Sequence, residues 1–154
     1  MIPELNKLSE AQAELVLKAP FLVCILIAGA DGTIDKKEIK EAINIAQKKH
    51  KKAVSMQAFF KELATDFEDK LKILIQSYPY ESTQRNPLIE EELSFLNPCF
   101  KLLPTEFASE YYSLLIDIAQ GIASSSGGGI MGLGESIAPE EARYIKLPMI
   151  QKPT

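Results

Sequence analysis

Residues 31–38, which read DGTIDKKE, have the side chains and the spacing that could bind a metal ion. In the calcium loop of an EF-hand, the ligands come from positions 1, 3, 5, 7, 9 and 12, and Gly occupies position 6. When Gly32 is placed at position 6, Asp31 falls at position 5, Asp35 at 9 and Glu38 at 12. Positions 1 and 3 fall on an isoleucine and a glycine, which carry no carboxylate. The segment therefore matches only the second half of a calcium loop.

The same segment also fits the start of a helix. Asp35 and Glu38 have the spacing of a capping box, in which Asp35 accepts the backbone N–H of Glu38 and the Glu38 side chain reaches back. A cap of this kind is typically worth about 1 kcal/mol. Gly32 would supply a positive φ at the end of the preceding helix. This interpretation leaves only Asp31 unexplained, so we favour the cap and keep metal binding as the alternative.

If a metal does bind at this turn, the ligand chemistry limits its identity. Carboxylate oxygens are hard ligands, which select Ca²⁺ or Mg²⁺ over zinc or copper. Two or three carboxylates do not make a full cage, so we expect weak, millimolar binding.

The remaining reactive side chains give little support for catalysis, and we expect no enzyme activity. The single histidine, His50, lies in the lysine run of residues 48–52. Cations there complement the negative end of a helix dipole, an interpretation we favour over a nucleic-acid patch. Cys24 and Cys99 lie in apolar segments and are expected to be buried, reduced thiols without a base nearby in sequence. The glycine-serine run, residues 124–134, lacks the Gly-Lys-Ser/Thr of a P-loop.

Composition indicates one globular domain over residues 1–154, with a net charge of −4. The first 77 residues hold 12 basic and 11 acidic side chains, and the rest hold 5 basic and 10 acidic, which argues against a nucleic-acid binder. The N-terminus lacks the pattern of a signal peptide. The apolar stretch Leu15–Ala30 is short for a membrane span and includes Lys18 and Pro20. We therefore expect a buried core helix, no transmembrane segment and a cytoplasmic protein.

Apolar side chains recur at helical spacing, and no alternating run predicts a strand. The pattern predicts an all-α fold, a compact bundle of about seven helices. Helix starts are predicted from caps and prolines at Ser9, Pro20, Asp35, Ser55, Asp66, Asn86-Pro87, Thr105 and Pro139.

A weak internal repeat adds a symmetry prediction. The apolar residues 26–28 lead to the segment 34–38, and residues 116–119 lead in the same way to residues 137–141. Each copy is an apolar helix, a Gly-containing turn, and an Ile followed four residues later by Glu. A duplicated helical pair would give the bundle a pseudo-twofold axis.

The block Leu22–Ile43, together with residues 118–141, resembles the TerB-like family of tellurite-resistance and stress proteins. The N-terminal domain of DjlA-type co-chaperones has a similar turn. The resemblance covers about a third of the chain. It implies an all-helical domain with internal twofold pseudosymmetry and an acidic surface cluster proposed to bind metal ions. Carried over by position, that cluster comprises Asp31, Asp35, Glu38 and Glu141. This chain departs from a doubled acidic motif, because Ile122 and Ala123 stand where the repeat would place Asp31 and Gly32.

The resemblance implies a non-enzymatic stress module that acts through protein partners and is tuned by a weakly bound divalent cation. Two alternatives stay open at this point. One is a metal-dependent hydrolase that uses helical carboxylates. The other is a dimerising scaffold, a homodimer whose interface is the glycine loop and its apolar residues Ile130, Met131 and Leu133.

Overall fold

A computed structural model of the chain describes residues 2–29, 35–126 and 144–153. These residues form helices and turns and include no strand, so the predicted all-α class is confirmed. Two short 3-10 helices, Pro3–Leu5 and Val54–Met56, accompany the α-helices. The α-helices in chain order are α1 (Glu10–Ala28), α2 (Lys36–Lys49), α3 (Gln57–Ala64), α4 (Phe67–Gln76), α5 (Ser82–Ser94), α6 (Leu96–Phe100) and α7 (Thr105–Ser126).

Helix α1 is the central element of the bundle. Ser9 caps it as predicted, through a capping box in which the Ser9 side chain accepts the N–H of Gln12 and Gln12 bonds back to the Ser9 backbone. From Pro20 to Ala28 every side chain is buried, as expected of a helix surrounded by others. The helix is long and apolar enough to cross a membrane, but 67% of its most apolar window is buried inside the protein. The packing thus matches the predicted core helix.

The predicted break between two helices at Pro20 is wrong, because α1 continues through it. Proline has no N–H, so the carbonyl of Val16, four residues earlier, loses its normal helical donor. The hydroxyl of Tyr111, on α7, donates to that carbonyl at 2.7 Å, and both groups are buried. A side chain 95 residues away therefore replaces the bond that proline removes. This long-range contact is the physical reason that the local signal failed.

Helices α2 and α7 pack against each other, and α7 also packs along α1. The predicted apolar stripe of α2 is buried and consists of Ile39, Ala42, Ile43 and Ala46. The predicted core face of α7 is buried as well and consists of Phe107, Tyr111, Leu114, Leu115, Ile118, Ala119 and Ile122. Helical periodicity thus identified both buried faces correctly.

Three predicted helix starts differ from the structure, either in position or in how the helix is capped. Helix α5 begins at Ser82 and contains Pro87 in its interior, so Asn86-Pro87 does not start a helix. The Ser55 side chain caps nothing, and its hydroxyl is buried without a hydrogen bond to any described residue. Asp66 does precede α4, but it adopts a left-handed conformation with φ 53° and its side chain makes no cap bond. Side-chain type alone did not reveal these backbone conformations.

Within the described ranges, the six helices α1–α5 and α7 have eight residues or more, and α6 has five. The finer predictions of about seven helices and a pseudo-twofold repeat therefore stay predictions. The repeat depends on residues 137–141, and the start predicted at Pro139 lies there too, outside the described residues. Residues 144–153 attach to α6, because the Asn97 side chain donates to Met149 O and accepts from Gln151 N.

Candidate functional site: an acidic groove along helix α1

A groove of about 570 Å³ lies between the N-terminal 3-10 helix and the first half of α1. The walls and floor are mainly apolar and include Leu5, Leu8, Ala13 and Leu17. Its volume is in the range of known ligand pockets, and its open shape gives access from solvent. A concave, mainly apolar surface with a few polar groups at its edge is the usual form of a binding site.

Among the described residues, three carboxylates line this groove and no basic side chain does. Glu10 and Glu14 are exposed on α1, and Glu62 is half-exposed on α3. Glu10 and Glu14 make no ion pair with any side chain in the described ranges. The groove therefore combines an apolar floor with negative charge at its edge.

A second depression of about 290 Å³ continues the groove toward α4 and shares Glu14, Leu17 and Glu62 with it. Its apolar lining includes Phe21 and Ile73, and Ile73 is 62% exposed. Exposed apolar side chains next to a concave apolar surface favour contact with another molecule. The two depressions together form what we call the α1 groove.

Both lysines in the second depression already have acidic partners. Lys18 forms a short ion pair with Glu92 on α5. Lys70 donates to the backbone carbonyl of Glu62 at 2.8 Å and lies 3.4 Å from its carboxylate. The hydroxyl of Tyr78 donates to the same Glu92 carboxylate, and burial, this bond and the carboxylate charge together raise the pKa of Tyr78 well above its ordinary value. The unpaired charge at the groove is therefore the acidic charge of α1.

Of the four predicted metal ligands, Asp31 and Glu141 lie outside the described residues. Asp35 is the N-cap of α2, and its Oδ1 accepts the N–H groups of Lys37 at 2.9 Å and Glu38 at 3.3 Å. The favoured interpretation of Asp35 as a helix cap is thus confirmed. The cap uses Oδ1, one of the two carboxylate oxygens of Asp35. No group of three or more His, Cys, Asp and Glu side chains within the described ranges is arranged to hold a metal ion.

A buried arginine closes the C-terminal end of α1. Arg85, on α5, donates at 2.7 Å to the carbonyl of Gly29 and at 2.7 Å to that of Tyr80. Burial lowers its pKa, against the opposing effect of the charge on Glu81. A methyl group on Gly29 would collide with the guanidinium, which explains a glycine at this position. The sequence offered no signal for this contact, because Gly29 and Arg85 are 56 residues apart.

His50 does not face solvent with the lysines around it. The side chain is 8% exposed, and its Nδ1 lies 2.7 Å from Glu110 while its Nε2 lies 2.8 Å from Asp117. Each ring nitrogen therefore lies within hydrogen-bond distance of a carboxylate oxygen. Glu110 and Asp117 are seven residues apart on α7, which places them on one face, about 10 Å apart along the helix. The sequence analysis overlooked this seven-residue spacing. The spacing places two carboxylates on one helix face, but it does not show that His50 lies between them.

The two thiols match the predicted buried state. Cys24 and Cys99 are free and buried, and burial raises the pKa of each thiol. A raised pKa keeps a thiol protonated and unreactive, so neither is suited to act as a nucleophile.

Comparison with models of known protein families, with curated proteins and with solved structures finds no match for this chain. The α1 groove is a surface feature suited to contact with another molecule.

Proposed function

We propose that this protein is a non-enzymatic helical module that binds a protein partner in the α1 groove. The observation that carries this proposal is the exposed apolar surface from Leu8 to Ile73, bordered by Glu10 and Glu14. Burial of apolar area is the main driving force of association, and this area lies open in the isolated chain. A hydrolase that used helical carboxylates would instead need four or more converging acids in one pocket, whereas three carboxylates of the described residues line this groove.

The biological setting of this proposal follows from the TerB-like resemblance. Under it, the module acts in a stress response of the tellurite-resistance type in the cytoplasm, through partners rather than through chemistry of its own. The groove supports only one part of this proposal, which is that the module contacts a protein partner.

We expect Ile73→Asp to abolish capture of partners without unfolding the protein. Ile73 is 62% exposed, so its replacement should change the free energy of unfolding by less than about 0.5 kcal/mol. A charge placed on the apolar surface opposes burial of that surface in a complex. The measurement is affinity capture from a lysate of the source organism, with bound proteins identified by mass spectrometry.

The matched control is Val54→Asp, because Val54 is 84% exposed and does not line the groove. Binding in the groove is supported if the wild type and the Val54 variant capture proteins that the Ile73 variant does not. Proteins held equally by all three would show that binding occurs elsewhere.

Weak binding of Ca²⁺ or Mg²⁺ by the predicted ligands Asp31, Asp35, Glu38 and Glu141 is the second part of the proposal. The carboxylate oxygens of these four residues are hard ligands of the kind that these cations prefer, which supports it. The guanidinium of Arg85 opposes it, because its bond to Gly29 brings a positive charge near the start of this turn. Affinity should therefore be no better than millimolar.

Substitutions at Asp35 distinguish its role as a helix cap from a role as a metal ligand. Asp35→Ala should lower the free energy of unfolding by about 1 kcal/mol, whereas Asp35→Asn, which can still cap, should cost much less. Both variants should weaken a response of the Asp31 and Lys37 amide shifts to Ca²⁺, because both lose the charge. If wild-type shifts do not change at several millimolar Ca²⁺, the turn is only a cap.

A further inference from the structure

We propose that the α1 groove takes an amphipathic helix whose apolar face is flanked by lysine or arginine. This inference rests on the proposed function of the groove and specifies the chemistry of its partner. Three features of the groove carry it: its direction, its apolar floor and the sign of the charge along its edge.

The direction of the groove follows α1. Its lining residues on that helix include Glu10, Ala13, Glu14, Leu17 and Phe21. Their spacing of three and four residues places them on one face. From residue 10 to residue 21 the helix rises about 16 Å, which equals about three turns. An amphipathic helix laid in such a groove presents apolar anchors at i, i+3 or i+4 and i+7 over the same length.

The apolar floor selects aliphatic anchors. Leu8, Ala13 and Leu17 are only half-buried in the isolated chain, and Ile73 is more exposed still. These side chains gain burial only when another apolar surface covers them. Two or three leucine-sized side chains suit depressions of about 570 and 290 Å³.

The charge at the edge selects a basic partner over an acidic one. Glu10 and Glu14 line the groove without an ion-pair partner among the described residues, whereas Lys18 and Lys70 are already paired with Glu92 and Glu62. An acidic helix would meet these two carboxylates, and a basic helix would complement them. Complementary charge at the rim of an interface contributes chiefly to specificity and association rate.

The test uses two labelled peptides of about 18 residues, long enough to be helical when bound. One carries leucine at helical spacing with lysine on the flanks, and the other carries glutamate in place of each lysine. Fluorescence anisotropy with the full chain should show that the lysine peptide binds at least about tenfold more tightly. Equal or tighter binding of the glutamate peptide, or no binding of the lysine peptide, overturns the inference.

Two double variants that remove the same charge show which part of the surface attracts the lysine peptide. Glu10→Gln with Glu14→Gln should weaken binding of the lysine peptide about fivefold, and less in high salt. Glu41→Gln with Glu106→Gln removes the same charge from exposed sites on α2 and α7, outside the groove, and should change binding by less than about twofold. An equal loss in both pairs would show that net charge, rather than the groove, attracts the peptide.

Ile73→Asp separates failure of this inference from failure of the proposed function. If the variant loses both peptides while the wild type binds them equally, the groove binds helices without a charge preference and only this inference is overturned. If the variant binds the lysine peptide as the wild type does, the peptide lies outside the groove and the inference is overturned. Capture of partners by the wild type and not by the Ile73 variant decides the proposed function independently of either peptide.

Discussion

His50→Leu is expected to lower the free energy of unfolding by about 2 to 3 kcal/mol. The substitution leaves the carboxylates of Glu110 and Asp117 facing an apolar side chain, and breaking a buried pair in this way typically costs 3–5 kcal/mol. The expected loss is smaller because the two carboxylates are 38% and 22% exposed and keep part of their hydration. Urea denaturation at neutral pH measures it.

A double-mutant cycle separates the hydrogen bonds from packing. In a background of Glu110→Gln with Asp117→Asn, the further change His50→Leu should cost less than about 1 kcal/mol, because no charge is left unpaired. Lys49→Ala, the exposed neighbour, serves as a control for the helix end and should cost less than about 0.5 kcal/mol. Equal costs of His50→Leu in the two backgrounds would show that the carboxylates do not hold the imidazole.

Tyr111→Phe is expected to lower the free energy of unfolding by about 2 kcal/mol. The ring stays in place, but the carbonyl of Val16 loses the donor that compensates for Pro20. An unsatisfied buried carbonyl costs about 1–3 kcal/mol. The pKa of Tyr111 is raised well above its usual value, chiefly by burial, so the hydroxyl keeps its proton in the folded protein and remains a donor.

The background Pro20→Ala tests this explanation directly. Alanine restores an N–H that can donate to Val16 within the helix, so Tyr111→Phe should cost less than about 1 kcal/mol in that background. If Tyr111→Phe costs the same with proline or alanine at position 20, the hydroxyl does not act by replacing the missing helical bond.

Local sequence signals identified what depends on local structure. The Ser9 and Asp35 caps and the buried faces of α2 and α7 follow from spacing within a few residues, and the structure confirms them. The continuity of α1 through Pro20 depends on Tyr111, and such a contact cannot be read from one segment.

The candidate site was hidden from the sequence for the same reason. Glu10, Ala13, Glu14 and Leu17 lie on one face of a predicted helix, but their exposure depends on where α3 and α4 stop covering that face. His50 lies among lysines in the sequence and between carboxylates in the fold. For the groove residues and for His50, side chains distant in sequence determine the surroundings. Composition and periodicity do not reveal such contacts.

Site-specific crosslinking tests most directly whether a partner occupies the α1 groove. The protein is made in cells of the source organism with the photoreactive residue p-benzoylphenylalanine in place of Ile73, and separately in place of Val54. Partner binding in the groove predicts discrete crosslinked products from position 73 that are absent from position 54 and that become weaker when Glu10→Gln and Glu14→Gln are added. No product from position 73, or the same products from both positions, would contradict it.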